Sequence, residues 1–420
     1  YYTPYQPTSG ALAAGFAAAP GDPCASYGNR NFHLFFEEWF GATYSPSRNA
    51  IDAAYARTGA SVLGAPITDY NYIAANGGGT VRGYENGAIA WTAESGAVVL
   101  SGELRSAFAE RGGVSGTLGW PRTSAASSGG NGGGEVQGFQ FGALTRQYGS
   151  SQAFALIGGI RLAFASAGGL DGPLGWPISD EECANSECTQ RFTFGSIHYA
   201  GGAVEFSIPD IERASAAAGT EVSGTTNPIL AGRAGFVSAT ADGRAIAWTR
   251  ESGAVVLSRD VRIALAESGG IAGVLGWPRE ELSCASTCTQ EFDGGVVTRT
   301  VGGAWAFAPT AVWAAARSAS SDPVMATSAS TAIASGRVYG FVDFAVAAHP
   351  VHGVHAVTGQ IRSALAARGG VVGPVGWPAG VVATLNSGDA TGFVQSFSGG
   401  ALVHVDGRSV LVTGDLRRAY

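Results

Sequence analysis

The apolar positions of this chain follow two alternating periods. In GELRSAFAERGG (102–113), GGIRLAFASAGG (158–169) and GQIRSALAARGG (359–370) they recur at i, i+4 and about i+5, the stripe of a short amphipathic helix. A glycine pair ends each stretch, and glycine tolerates the positive φ that stops a helix. A sharp turn built on Gly and Pro follows, as in LGWP. The pattern then changes to a period of two, as in FTFGSIHYAGGAVEFSI (192–208), which predicts two antiparallel strands around a glycine-containing turn. A helix, a loop and a hairpin are too little to bury their own apolar faces, so such units must stack on one another.

The turn recurs as LGAP at Leu63–Pro66, LGWP at Leu118–Pro121, Leu174–Pro177 and Leu275–Pro278, and VGWP at Val375–Pro378, at spacings of 55, 56, 101 and 100 residues. Each long gap hides a degenerate copy. IAWTAESGAVVL (89–100) returns as IAWTRESGAVVL (246–257) in the first, and AVAAHPVHGVHAVTG (345–359) aligns with AIAWTAESGAVVLSG (88–102) in the second. The chain therefore reads as an α+β repeat protein, a ring or β-propeller-like stack of about seven helix–loop–β-hairpin units. Their bounds fall near 50–100, 101–157, 158–208, 209–257, 258–309, 310–357 and 358–412. An N-terminal segment, 1–49, holds the aromatic stretch NFHLFFEEWFGATY, and TGDLRRAY (413–420) matches the start of an eighth helix. In a closed ring these two ends would complement each other.

Several columns run through the units. The aromatics Tyr84, Phe139, Phe192, Phe292, Phe341 and Phe397 are expected to fill the core. The loop tryptophans Trp120, Trp176, Trp277 and Trp377, each set between Gly and Pro, are expected to pack between units. Arg105, Arg161, Arg262, Arg362 and Arg417, with Asp52 and Glu212 in two other units, form a column expected to fork onto carbonyls or carboxylates of the neighbouring loop. Asp180-Glu181-Glu182 and Glu280-Glu281 are its expected partners.

Composition narrows the function. Charged residues are only 14%, the 25 basic residues are all arginine, and the net charge is −7. This disfavours a nucleic-acid partner, which would need a basic stripe, and no apolar run is long enough to span a membrane. The five cysteines include CANSEC and CASTC, read as local disulfides Cys183–Cys188 and Cys284–Cys288 that imply an oxidising compartment, while Cys24 is left over. HPVHGVH, with His349, His352 and His355, reads as a hairpin tip rather than a metal site. No nucleophile elbow or zinc-helix motif occurs, and neither metal, cofactor nor catalysis is expected.

The LG-[FWA]-P core, the glycine-terminated helix before it and the G-x-I-x-W…G-A-x-x-V hairpin after it resemble the LGFP repeat, over about 360 residues. Two units depart from the pattern, at VSGTTNP (222–228) and SSDPVMATS (320–328). The resemblance implies a secreted, non-catalytic module of the actinobacterial cell envelope, associated with wall arabinogalactan–peptidoglycan. The candidate glycan contacts share one hairpin position expected to face outward: Trp91, Arg146, Tyr199, Trp248, Arg299 and His404. Packing against the next unit competes with that role. A structural subunit of a surface layer or filament, by self-association or with another surface protein, is the alternative. A non-catalytic part of a wall hydrolase or acyltransferase is the second.

Overall fold

The computed structural model describes residues 46–414 except 224–225, 231–232, 286, 302, 334 and 388–389. The expectations for Cys24, for the aromatic N-terminal stretch, for Arg417 and for the meeting of the chain ends lie outside the described residues. The chain divides into two compact units, Tyr1–Glu205 and Phe206–Tyr420.

The first unit carries helices α1 (Pro46–Thr58), α2 (Gly102–Glu110) and α3 (Gly158–Ser166). Its sheets are sheet 1 (71–101), sheet 2 (126–157) and sheet 3 (182–207), the last strand of which contains the division between the units. The second unit carries α4 (Pro209–Ala217), α5 (Arg259–Glu267), α6 (Thr310–Ala319) and α7 (Gly359–Ala366). Its sheets are sheet 4 (227–257), sheet 5 (283–309), sheet 6 (325–358) and sheet 7 (383–412).

Every sheet is a four-stranded meander, not the expected two-stranded hairpin. The segment 192–208 alone contributes to three strands, Glu187–Phe192, Gly195–Ala200 and Ala203–Ser207. Most of the extra first strands are short, such as Asn71–Ile73, Ala126–Ser128 and Glu182–Ala184, though that of sheet 6 runs Met325–Ile333. They are mostly exposed, so they carry no alternating apolar signal.

Each helix lies on the face of the sheet that follows it, through the aromatic column. Tyr84, Phe139, Phe192, Phe292, Phe341 and Phe397 are at most 4% exposed. Phe139 stacks on Phe108 of α2 at 4.6 Å, and Phe192 on Phe164 of α3 at 4.8 Å. Such pairs contribute about 0.5–1.5 kcal/mol beyond the area they bury. Five of the column aromatics also bridge to the proline of their own loop, from Pro66↔Tyr84 to Pro378↔Phe397. The glycine pairs end the helices with positive φ, as at Gly112 (86°) and Gly113 (58°).

The same helix covers the preceding sheet where both belong to one unit, as α2 covers sheet 1 as well as sheet 2. The core of α2 joins Ala88, Ala90 and Leu100 of sheet 1 to Phe139 and Leu144 of sheet 2. The loop tryptophans lock this join, and Trp120, Trp176, Trp277 and Trp377 are 2, 1, 1 and 7% exposed. Each indole rests on a glycine that opens the second strand of the preceding sheet. A Cβ built on Gly79, Gly134, Gly235 or Gly336 would lie 2.5–2.7 Å from the tryptophan Cη2. Trp120 and Trp176 donate Nε1–H to the carbonyls of Ala75 and Gly130. Asn76 and Asn131 return the contact by donating to the carbonyls of Val114 and Gly116, and of Leu170 and Gly172.

Sheets 3 and 5 are built differently at this point. Five residues before the column aromatic, where the other sheets have glycine, they carry Glu187 and Thr287. The repeats that follow them are the two that lack the LGWP turn. In both sheets a disulfide joins the first two strands instead, Cys183–Cys188 and Cys284–Cys288, between residues paired directly across the ladder. A covalent clasp thus stands where no tryptophan arrives to hold the loop.

A second join was not expected. Gln137, Gln190, Gln290 and Gln395 are 0–1% exposed. Each donates Nε2–H to two carbonyls, one on the preceding sheet and one on its own loop: Val99 and Thr123, Ala155 and Ser179, Val256 and Glu280, Ala356 and Gly380. Edge carbonyls that no strand pairs are satisfied in this way.

Candidate functional site

In the hairpin row expected to face outward, Trp91, Tyr199 and Trp248 turn toward the helix of their own repeat. Trp91, like Tyr55 and Tyr70, packs against the cluster of Ile51 and Ala54 of α1 with Tyr84 and Ile89. The Tyr199 ring lies against Gly159 of α3, where a Cβ would come within 2.4 Å of it. Trp248 is 2% exposed and donates Nε1–H to Asp210 of α4 at 2.9 Å. That burial withdraws Trp248 from any ligand. Arg146 is tied to Glu135 at 2.7 Å and to the Ser150 carbonyl, Arg299 donates to the Gly303 carbonyl, and His404 Nδ1 meets Ser409 Oγ at 2.7 Å. The six side chains therefore brace turns and helices and do not converge. Strand alternation fixes which residues share a face, but not which face is covered when both are.

The arginine column also departs from expectation. Arg105, Arg161 and Arg262 reach no described partner, and Arg362 touches only the Val342 carbonyl at 3.3 Å. The forked arginines stand instead at the helix C-termini. Arg111 donates to the carbonyls of Ala107 and Ala153 and pairs with Asp180 at 2.6 Å, and Arg368 donates to those of Ala364 and Ser409. A cation there also meets the negative end of the helix dipole. Asp180 thus answers Arg111, and Glu281 accepts the amide of Val256.

Asp52, one of the two acidic members of that column, organises a cluster with Tyr70 and Arg82. Tyr70 Oη donates to Asp52 at 2.5 Å, and Arg82 donates to both. Burial first, and then the bond to Asp52, push the Tyr70 hydroxyl up to about 12. It is a locked phenol rather than a proton donor near neutrality.

The three histidines hold their own turn. His349 Nδ1 accepts the amides of Val351 and His352, its Nε2 meets Ser335 Oγ, and His355 Nε2 meets the His352 carbonyl. Glu181, Cys183 and Cys188 bring three potential metal ligands together, but the two sulfurs are bonded to each other. Two open clefts of about 600 and 470 Å³ are lined by Gly219, Thr220, Glu221, Ala241 and Asp242, and by Asp343, Gly359, Gln360, Arg362, Ser363 and Ala366. Neither joins a nucleophile to a base.

Exposed aromatic surface lies elsewhere, over the glycine-rich loops between the first and second strands, supplied by Tyr72 on the first strand of sheet 1 and Tyr148 just after the third strand of sheet 2. Tyr72 is 41% exposed beside Gly78, and Tyr148 is 50% exposed beside Gly133. Both glycines have φ of 80° and no side chain to crowd the ring. Tyr148 Oη bonds Ser127 Oγ at 3.0 Å, which fixes its tilt. Asn131, at the centre of its loop, accepts the Gln147 amide on its carbonyl. The two tyrosines come from different strand positions, but each ring lies against the equivalent glycine of its sheet, Gly78 in sheet 1 and Gly133 in sheet 2. The signals for them are NYIAANGGG (71–79) and GGNGGG (129–134) with RQYG (146–149), low-complexity runs in which an isolated tyrosine reads as loop.

Residues 63–116 match the family profile for the LGFP repeat. No curated protein matches the chain. Among solved structures it is similar to the extracellular domain of a putative hybrid two-component system from Bacteroides thetaiotaomicron, at 9% identity and a TM-score of 0.12, over 69% of this chain and 33% of that one. It is also similar to virginiamycin B lyase from Staphylococcus aureus, at 9% identity and a TM-score of 0.13, over 81% and 94% of the two chains. A third is PorZ, a surface component of the type-IX secretion system of Porphyromonas gingivalis, at 6% identity and a TM-score of 0.13, over 84% and 39%. The chain spans about a third of the first of these. Likenesses this slight carry no argument about function.

Proposed function

Taking as premise that this chain is an LGFP-repeat protein, we propose that it is a non-catalytic, secreted protein that binds cell-wall polysaccharide. The observation that carries the reading is the pair of exposed tyrosines, Tyr72 and Tyr148, each lying against the equivalent glycine loop of sheets 1 and 2. An aromatic ring with a fixed tilt offers a flat apolar face to the C–H side of a sugar, and its hydroxyl stays wet.

Other features agree with this reading. LGFP repeats occur in cell-surface proteins, and the two disulfides suit an oxidising compartment. Among the described residues no helix is long and apolar enough to cross a membrane. Each helix with its following sheet is proposed to be one repeat. Arabinogalactan–peptidoglycan is the proposed ligand class. Co-sedimentation with purified wall tests it: the full chain should pellet with wall carrying its arabinogalactan. If the chain stays in the supernatant with every wall fraction, the reading fails.

A further inference from the structure

We propose that the cleft between the turn of sheet 6 and the start of α7 binds a small zwitterion of the dipeptide class. Arg362 takes its carboxylate and Asp343 its ammonium.

The cleft opens where a loop has changed. In the five sheets preceded by an LGAP, LGWP or VGWP loop, that loop closes over the turn between the second and third strands. The Phe141 amide donates to the Leu118 carbonyl, for example, and the Gly399 amide to that of Val375. Sheets 4 and 6 are preceded by VSGTTNP and SSDPVMATS instead. Their turns keep one bond to the chain before them, from the Ala241 amide to the Glu221 carbonyl and from the Val342 amide to the Val324 carbonyl. Among the described residues, the next amide of each turn, of Asp242 or Asp343, meets no carbonyl of that loop. The clefts of about 600 and 470 Å³ lie at these two turns.

Charge separates the two clefts. The larger brings together only acids, Glu221 and Asp242, and Asp242 is already held by Thr240 and Arg244. The smaller brings both signs, Asp343 and Arg362, with the polar side chains of Gln360 and Ser363. Arg362 is anchored at one point, on the Val342 carbonyl at 3.3 Å, and keeps its other donors. Asp343 is exposed and makes no hydrogen bond or ion pair among the described residues. The acids at the turns of sheets 1 and 5 are spent by contrast: Glu85 accepts the Ala65 amide, and Asp293 pairs with Arg233 and Arg279. Opposite charges that share a cleft without meeting each other suit a ligand that carries both. The guanidinium fork matches a carboxylate, and a cleft of this volume admits a dipeptide. The site lies in the second unit and uses neither Tyr72 nor Tyr148, so it stands apart from the polysaccharide reading.

Saturation-transfer NMR on the full chain, with alanylalanine as the probe, tests it. N-acetyl-alanylalanine and alanylalanine amide each lack one charge, and each should bind about fivefold more weakly than alanylalanine. Asp343→Asn should abolish the preference over the acetylated probe, and Arg362→Gln the preference over the amide. No binding of alanylalanine up to about 10 mM would overturn the proposal. So would an acetylated probe that binds the native chain as tightly as alanylalanine, which would make the cleft a site for anions alone. Binding unchanged in both variants would overturn it as well, since the probe would then sit elsewhere.

Discussion

Replacing Trp176 by alanine should loosen the join between sheets 2 and 3 far more than it alters any other part of the chain. The side chain is 1% exposed, and its indole stands against Gly134 and donates to the Gly130 carbonyl at 2.9 Å. Truncating a buried tryptophan costs about 3–5 kcal/mol, the transfer term plus the cavity left behind. About 1 kcal/mol of that belongs to the hydrogen bond. Gly134, on which the indole rests, has no side chain to fill the space left. A chain built of repeats need not unfold in one step, so a single melting temperature would blur the effect. Native-state hydrogen exchange resolves it by segment. Amides of 129–138 and 169–177 should lose about 3 kcal/mol or more of protection, with sheet 7 unaffected. A loss below about 1 kcal/mol, or an equal loss in sheet 7, would refute the assignment of Trp176 as a local lock.

Three further outcomes follow from the same geometry. Cys183→Ser with Cys188→Ser should cost about 2 kcal/mol at most, because so short a loop removes little entropy from the unfolded chain. Faster exchange should be confined to 182–189, and peptide mapping that joins Cys183 to Cys284 would contradict the pairing. Gln190→Leu keeps the volume but leaves the carbonyls of Ala155 and Ser179 unpaired, which should cost about 1–3 kcal/mol in urea unfolding, and a neutral substitution would remove the glutamine from the join. Tyr70, pushed up to about 12, stays protonated where an unfolded tyrosine ionises near pH 10. Its contribution to stability is intact below about pH 10 and fades as the pH rises through 12, so absorbance titration should show a late phenol that Asp52→Ala brings earlier. Absence of a late component in the native chain would count against the cluster.

The features legible in the sequence are those a single local pattern encodes. The helix stripe through Leu104 and Phe108, the aromatic column and the positive-φ glycines need only periodicity and backbone chemistry. Cysteine spacing alone was enough to pair Cys183 with Cys188. Features defined by a neighbouring repeat were not legible. Gln137 and Gln190 lie at strand positions where a polar residue reads as exposed, yet both faces of the strand are covered and their amides reach the sheet before. Trp248 shares its position with Trp91, and strand alternation placed both on one face without showing that a helix lies over it. Arg111 ends a helix, so its fork onto Asp180 is long-range and leaves no spacing to read. Tyr72 and Tyr148 were missed because nothing periodic surrounds them, which is also why they remain uncovered.

Binding of native chain and of Tyr72→Ala/Tyr148→Ala to purified wall polysaccharide, measured side by side in a co-sedimentation isotherm, tests the central claim most directly. Both side chains are about half exposed, so the double variant should keep its fold and its amide-exchange protection. Stacking on one exposed aromatic is worth about 0.5–1.5 kcal/mol, and losing two should weaken binding by roughly tenfold or more. A double variant that binds wall as tightly as the native chain would contradict the account.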